Sequence, residues 1–173
     1  MSFHPQPVLN GKLVELRPLR PADFDDLYAV AADPLIWEQH PVRNRHEEDV
    51  FREFFRRALA SGGALLAVDA GAQRVIGSSR FHGYSEERSE VEIGWTFLAR
   101  SHWGGGYNGE MKRLMSQHAF QFVNHVVLLI SPQNLRSRRA AEKVGGVHMG
   151  SRPHDDGQDV CVYQITASTL ARP

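Results

Sequence analysis

The stretch Arg100-Ser-His-Trp-Gly-Gly-Gly-Tyr-Asn-Gly-Glu110 joins a strand-like segment, residues 90–98, to an amphipathic helix. The apolar positions of that helix recur at helical spacing and are Met111, Leu114, Met115, Ala119, Phe122 and Val123. A second apolar segment, residues 126–131, follows the helix. Strand, glycine loop, helix and strand in this order predict a β-α-β unit whose two strands are parallel neighbours.

Alternating apolar and polar residues predict further strands on the amino-terminal side of this unit. Residues 12–17, 64–69 and 74–81 show the pattern, and the last two look like an antiparallel meander with residues 90–98. Because a meander is antiparallel, only the β-α-β unit contributes a parallel pair.

Helical spacing and a terminal hairpin complete the prediction. One amphipathic helix follows Pro21, a second follows the acidic residues 47–49, and another covers residues 135–143. Residues 147–150 and 159–165 predict a hairpin with a polar loop. The sequence therefore predicts an α+β fold: a mostly antiparallel mixed sheet with one parallel β-α-β crossover, flanked by about four helices.

Length, composition and charge set limits on the class of protein. The chain of 173 residues is 42% hydrophobic and predicts a single domain spanning residues 1–173. Twenty Lys and Arg balance twenty Asp and Glu, so we expect no direct nucleic-acid contact. The single cysteine, Cys161, favours a reduced, cytoplasmic location. The start MSFHPQPVLN lacks a leader pattern and the apolar runs are short, so we expect no membrane partner.

The glycine loop is suited to anion binding. Glycines at the start of a helix let main-chain N–H groups approach a phosphate, which the helix dipole also favours. Gly104, Gly106 and Gly109 fit the G-x-G-x-x-G pattern of dinucleotide-binding oxidoreductases. That interpretation requires an acidic residue about twenty positions later, where this chain has an apolar strand, and the meander also opposes it. The alternative is a turn that only redirects the chain.

The order of these elements resembles the GNAT acetyltransferases, whose pyrophosphate-binding signature is Q/R-x-x-G-x-G/A. The branch similar to ribosomal-protein N-acetyltransferases often begins this signature with an aromatic residue, and here Trp103-Gly104-Gly105-Gly106-Tyr107-Asn108 matches. Glu92-Ile93-Gly94-Trp95 precedes it, and Asn134-Leu135-Arg136-Ser137 resembles the N-x-x-S segment of that branch. Asn108 departs from the small residue of the pattern.

The resemblance implies acetyl-CoA as co-substrate and no metal. Its pyrophosphate would lie on the glycine loop, and its pantetheine arm between residues 90–98 and 126–131, paired with main chain as an added strand would be. The implied cofactor-binding residues are Trp95, Thr96, Phe97, Leu98, Trp103, Gly104, Gly105, Gly106, Tyr107, Asn108, Gly109, Asn134, Arg136, Ser137 and Arg139.

The resemblance also implies catalytic residues. Glu92 is the candidate general base, with Glu90 as competitor on the same strand face. Ser137 is placed to hydrogen-bond the leaving sulfur, since the tyrosine expected four residues later is Ala141. Tyr163 is an alternative proton donor, and packing is the more common role of a strand tyrosine.

The acceptor is an amine, carried by a small molecule or a peptide, that the fold would bind beside its first two helices and terminal hairpin. Trp37 and His40 with Asp155, Asp156 and Asp159 predict an aromatic and acidic rim that attracts a cation, and His82 is a further candidate for substrate binding. These residues are equally compatible with ordinary loop surface.

The sequence thus predicts direct acetyl transfer from acetyl-CoA to a primary amine in a ternary complex. The alternative is a non-catalytic CoA-binding sensor or interaction module, suggested by Ala141 and Asn108. Nine histidines occur without a metal-binding spacing such as H-E-x-x-H. The choice between a monomer and a homodimer stays open.

Overall fold

The computed structural model describes residues 2–172. Eight strands and four helices follow one another along the chain. They are β1 (Leu9–Asn10), β2 (Val14–Pro18), α1 (Phe24–Ala31), α2 (Glu48–Ser61), β3 (Ala64–Asp69), β4 (Val75–Ser85), β5 (Glu90–Leu98), α3 (Tyr107–Ala119), β6 (His125–Ile130), α4 (Leu135–Lys143), β7 (Val147–Pro153) and β8 (Asp159–Ile165).

The strands form one sheet in the order β1-β2-β3-β4-β5-β6-β8-β7. Neighbouring strands are antiparallel, except β5 and β6, which are parallel. α3 makes the crossover between these two strands, as the spacing around the glycine loop predicts. The α+β fold with one parallel crossover is therefore confirmed.

Helices cover both faces of the sheet because side chains alternate along each strand. Leu65 and Ala67 of β3 belong to the apolar cluster that contains Met111 and Met115 of α3. Ala64 and Leu66, which point the other way, belong to the cluster that contains the buried residues of α1 and α2. The second face also carries the side chains of Arg80 and Glu92.

α2 illustrates how local sequence sets an element. Glu48 and Asp49 lie in its first turn, where their negative charges interact favourably with the positive end of the helix dipole. Phe51, Phe54, Phe55 and Ala58 are its buried residues. The helix ends at Gly62, whose φ of 66° is in the left-handed region that glycine adopts readily.

Several element boundaries differ from the sequence prediction. β4 continues to Ser85 instead of ending at residue 81, β6 begins and ends one residue earlier than 126–131, and β7 continues to Pro153 instead of ending at residue 150. The first long strand is β2, which begins at Val14 rather than at residue 12 and is preceded by the two-residue β1. α3 ends at Ala119, although the apolar spacing continues to Val123. The main-chain N–H of Phe122 donates to the carbonyl of Ala119, three residues earlier, at 2.9 Å, which closes a turn. Val123 still packs into the core. The apolar spacing therefore indicates which residues are buried, and burial continues beyond the last residue of the helix.

Candidate active site

β5 and β6 run side by side only at their beginnings. Their parallel pairing starts at Glu90 with His125 and ends at Glu92 with Val127. Beyond Glu92, β5 stays paired with β4, whereas β6 stays paired with β8. The strands therefore separate toward their carboxyl ends, on the side where the chain enters the glycine loop.

A β-bulge in β5 lies just beyond the point of separation. Between the pairs Ser78–Phe97 and Arg80–Gly94, β5 contains one residue more than β4. Trp95 has a φ of 50°, in the left-handed region that bulky residues rarely adopt. A bulge bends its strand and disrupts the ladder. The segment predicted to bind pantetheine thus forms a strand edge that faces the gap without a partner on β6.

The glycine loop presents free main-chain donors. Gly104, Gly105 and Gly106 are exposed, and α3 begins directly after them at Tyr107. Glu110 donates its N–H to Gly106 at 2.9 Å. Among the hydrogen bonds of residues 2–172, none is donated by the main-chain N–H groups of residues 104–109. Open amides at a helix start fit a phosphate group, as the sequence predicts.

Glu110 holds this loop against the first strands. Its carboxylate accepts hydrogen bonds from the main-chain N–H groups of Lys12, Leu13 and Val14 at 3.0, 2.6 and 2.9 Å. These bonds outweigh the opposing effect of burial, and they lower the pKa of Glu110 below its usual value. A buried ionised carboxylate bonded in this way fixes the first turn of α3 and thus the direction of the free amides.

Glu92 lies on the sheet face covered by α1 and α2. Its side chain is 8% exposed, and a Cβ built on Gly94 would lie 2.8 Å from its Oε1. Burial raises the pKa of Glu92 to about 7, with Arg152 and Arg80 acting in the opposite direction. A carboxyl group with a pKa near neutrality can accept a proton at physiological pH.

Glu90, the competing base, has a different environment. Arg152 lies 3.4 Å and Arg88 lies 4.0 Å from its Oε1. The Glu90 carboxylate thus has two cationic partners, whereas no ion pair within 4.0 Å joins Glu92 to a cation within residues 2–172. The two candidate bases therefore differ in their surroundings: Glu92 is 8% exposed, and Glu90 is held by arginines.

The predicted residues of α4 divide into exposed and structural groups. Asn134 caps the helix, since its side chain accepts the N–H of Ser137 at 3.2 Å. The Ser137 side chain is half-buried. Tyr163 is fully buried, and its hydroxyl lies between Arg138 Nε at 3.0 Å and Glu142 Oε1 at 3.3 Å. The Tyr163 hydroxyl is enclosed by packing and by these two hydrogen bonds. Of the hydroxyl groups of Tyr163 and Ser137, only that of Ser137 belongs to a partly exposed residue.

The predicted cations near the loop also differ in their contacts. Arg136 pairs with Glu38 at 2.6 Å, and its guanidinium lies 4.2 Å from the centroid of the Trp103 ring. The indole N–H of Trp103 donates to the Leu98 carbonyl at 2.9 Å. Arg139 is exposed. Trp103 and Arg136 thus connect the end of β5, the glycine loop and α4.

The predicted acceptor residues differ in exposure: Asp155, Asp156 and Asp159 are exposed, whereas Trp37 is not. Trp37 is 2% exposed, and its indole N–H donates to the Ala31 carbonyl at 2.8 Å. His40 is half-buried, and burial lowers its pKa to about 4, so its ring is neutral. His82 is exposed and stands opposite Glu92 in the β4–β5 pairing. The structure places His82 near Glu92 and assigns Trp37 to the core.

Two arginines that sequence analysis overlooked lie on the same face. Arg80 of β4 is 6% exposed, and its guanidinium lies 4.5 Å from the centroid of the Trp95 ring. Arg45 lies 4.6 Å from the Phe54 centroid and 5.3 Å from the Trp37 centroid. Arginine is almost never fully buried without a partner. For Arg80, the only signal in the sequence is its position inside a strand segment, and that position does not predict burial.

Lys112 is a third overlooked group. It lies on the buried side of α3, and its ammonium group donates to the Thr96 hydroxyl, which lies 2.8 Å from the Ser79 hydroxyl. Burial lowers the pKa of Lys112 to about 7. This lysine therefore supports the bulged segment of β5 from the face opposite Glu92.

Glu92 and Lys112 predict a stability minimum near pH 7. The folded pKa of Glu92 exceeds its usual 4.5, so its contribution to stability falls as the pH rises from 4.5 to 7. The folded pKa of Lys112 is below its usual 10.5, so its contribution rises from pH 7 to 10.5. We expect Glu92→Gln to remove the fall in Tm and Lys112→Met to remove the rise. Curves of Tm against pH that have the same shape in the wild type and in both variants would contradict these assignments.

Two kinds of structural feature that indicate other functions are absent from the described residues. Within residues 2–172, no group of three His, Cys, Asp or Glu side chains is arranged to hold a metal ion. In the same range, no helix has the length and apolar composition needed to cross a bilayer.

Comparisons with known proteins agree with this geometry. Residues 14–147 match the family model described as an acetyltransferase (GNAT) domain. An acetyltransferase from Agrobacterium tumefaciens str. C58 is 28% identical, with a TM-score of 0.71 over 92% of this chain and 94% of that one. No curated protein matches.

Two structures from Vibrio cholerae show the same fold at lower identity. A spermidine N-acetyltransferase in complex with CoA and spermine is 17% identical, with a TM-score of 0.69 over 92% of this chain and 98% of that one. A protein named provisionally as a ribosomal-protein-serine acetyltransferase is 11% identical, with a TM-score of 0.77 over 94% and 98%.

The fold, with β5 and β6 separating beside a glycine loop, is that of an acetyltransferase. The family match covers most of the chain, and the chain belongs to the GNAT acetyltransferase family. The family resemblance drawn from the glycine loop is confirmed.

Proposed function

We propose that the chain transfers the acetyl group of acetyl-CoA to a primary amine by direct attack in a ternary complex. The observation that carries the proposal is the position of Glu92, a buried carboxyl group with a pKa of about 7 at the mouth of the gap between β5 and β6. A group of this kind accepts a proton from an attacking amine, either directly or through water.

The free N–H groups of residues 104–109 fit the pyrophosphate of acetyl-CoA. The unpaired edge of β5 from Trp95 to Leu98 fits the amide-rich pantetheine arm, which would bind as an added strand does. Arg136, which lies against Trp103, and the exposed Arg139 supply positive charge near the phosphates. When bound, acetyl-CoA supplies an activated acetyl group as a thioester.

Holding the amine and the thioester together makes the reaction effectively unimolecular, which supplies much of the rate enhancement. The amine nitrogen forms a bond to the acetyl carbon, and the carbon–sulfur bond breaks. Glu92 takes the proton lost by the amine. The Ser137 hydroxyl hydrogen-bonds the departing sulfur, and solvent supplies the proton that completes the thiol.

Acetyl-CoA binding is tested by thermal unfolding with acetyl-CoA, CoA and NAD. At one hundred times its dissociation constant, acetyl-CoA is expected to raise the free energy of unfolding by about 2.7 kcal/mol. NAD is expected to leave Tm unchanged. Stabilisation by NAD alone would contradict the proposal and favour the oxidoreductase interpretation.

The second candidate function is a CoA-binding sensor, which Ala141 favours because it stands where many relatives carry a proton-donating tyrosine. Thiol release from acetyl-CoA across a panel of amines separates the two functions. Turnover that falls in Ser137→Ala while CoA binding persists supports the enzyme. CoA binding without turnover on any amine supports the sensor. The buried lone Cys161 supports a reduced cytoplasmic setting for either function.

A further inference from the structure

The face that carries Glu92 has a surplus of hydrogen-bond donors. Arg80 Nε and Nη2 have almost no exposed surface, and they find no acceptor within residues 2–172. Arg45 Nε is in the same position. Buried polar atoms are nearly always hydrogen-bonded, so three unpaired guanidinium nitrogens in one region point to an acceptor that the folded chain does not itself provide.

His40 increases this surplus. Its Nδ1 accepts the main-chain N–H of Val42 at 2.9 Å. Because the ring is neutral, the hydrogen-bond network then assigns its proton to Nε2. That nitrogen lies 3.4 Å from Arg45 Nη1. Two donors at this distance are satisfied together by one acceptor that lies beside them, within hydrogen-bond reach of both.

Aromatic rings surround the two guanidinium groups. Trp37 and Phe54 flank Arg45, while Trp95 and Phe54 flank Arg80 at 4.5 and 5.6 Å. Ring faces stabilise a cation but accept no strong hydrogen bonds. Apolar walls also lower the local dielectric, which strengthens attraction between a guanidinium and an anion. An oxyanion with two oxygens side by side, such as a carboxylate or a phosphonate, is the group that an arginine fork recognises best.

Glu92 does not fill this role. Arg80 stands opposite Gly94 and diagonally across from Glu92 on the same sheet face. The two side chains attract one another, yet no ion pair within 4.0 Å joins them in the described part of the chain. Asp155 also influences Glu92, from the loop between β7 and β8. The arginine cluster is therefore adjacent to the proton acceptor and still lacks an anion.

We infer that Arg45 and Arg80 bind an oxyanion carried by the acceptor itself, so that the acceptor is an amino acid or a related amine with a carboxylate or phosphonate group. This inference rests on the proposed function, and it differs from the cation-binding rim expected from sequence. The arginines hold the anionic end of the acceptor, and its amine reaches the Glu92 carboxylate. Polyamines and aminoglycosides, which carry only positive charge, are repelled from this face.

The test compares matched acids and amides. The probes are free L-amino acids, straight-chain ω-amino acids from glycine to 6-aminohexanoate, the matching aminophosphonates, and the carboxamide of each carboxylate. Calorimetric titration of the CoA-saturated protein measures binding without turnover. We expect at least one acid to bind ten times more tightly than its amide, and the chain length of the best probe to report the distance from arginines to amine. Comparison of carboxylates with phosphonates identifies the preferred oxyanion.

Arg80→Met and Arg45→Met are each expected to reduce the acid-to-amide preference to about one, and Arg80→Lys to restore part of it. Arg57→Met is the matched control, because Arg57 is exposed on α2 and pairs with Glu53. Acids and amides binding wild type equally, or spermine binding best, would overturn the inference. Because the titration needs no turnover, a protein that prefers acids but acetylates no amine would overturn the proposed function alone.

Discussion

Glu92→Gln is expected to lower kcat by roughly 10²- to 10⁴-fold, the usual contribution of a positioned general base. Glutamine keeps the shape of the side chain but cannot accept the amine proton. Because Glu92 is buried and its pKa is raised to about 7 by that burial, the neutral amide removes an unfavourable charge. The variant should therefore fold at least as stably as wild type at pH 8, and a loss of activity reports on chemistry.

The pH profile makes this prediction specific. The deprotonated form of Glu92 is the active base, so kcat/KM of the wild type should rise with pH and level off above an apparent pKa near 7. Glu92→Gln should lose this ionisation. Glu90→Gln is the matched control from the same strand. It should retain the activity and the ionisation, with the apparent pKa slightly lower because the charge of Glu90 helps to raise the pKa of Glu92. A Glu92→Gln enzyme with wild-type kcat, or an unchanged profile, would show that another group accepts the proton.

The second large effect is expected from the glycine loop, where Gly104→Val and Gly106→Val should each weaken acetyl-CoA binding by more than tenfold. Gly104 and Gly106 have φ of 72° and 85°, a region that costs an ordinary residue roughly 1–2 kcal/mol and is least accessible to a β-branched one. The loop would relax away from this conformation, and its N–H groups would no longer converge. Since the loop is exposed, the fold should persist.

Calorimetric titration with acetyl-CoA measures this effect. Gly62→Val is the matched control, because Gly62 also has a positive φ, of 66°, and an open surrounding, but it ends α2 instead of lying in the loop. It should lose some stability and keep its affinity for acetyl-CoA. Loop variants that bind acetyl-CoA like wild type would show that the main-chain amides of residues 104–109 do not hold the phosphates.

The elements around the glycine loop were predictable because their signals are local. β5 and α4 have the predicted bounds, Glu90–Leu98 and Leu135–Lys143. Turn glycines and apolar spacing act within a few residues of the structures they define. The parallel pairing of β5 with β6 follows from the crossover between them, and the same local order carried the family resemblance.

The roles of single polar residues were less predictable because burial depends on distant parts of the chain. Trp37 was expected at an exposed rim, but α1 and the end of β5 enclose it, and Phe97 lies 5.0 Å from its ring. In the sequence, Arg80 is one charged residue in a strand segment, and this pattern does not predict a functional role. Its importance comes from Trp95, Phe54 and Arg45, which approach from another strand, a helix and a loop.

The sequence by itself determined the fold class, the family and the loop suited to a phosphate, since these depend on the order and spacing of neighbouring residues. Only the tertiary structure decided that Glu92 has a pKa near 7, that Tyr163 is enclosed, and that two arginines share a face without an anion. Desolvation and the distance between charges determine these properties, and both depend on residues far apart in the chain that meet only after folding.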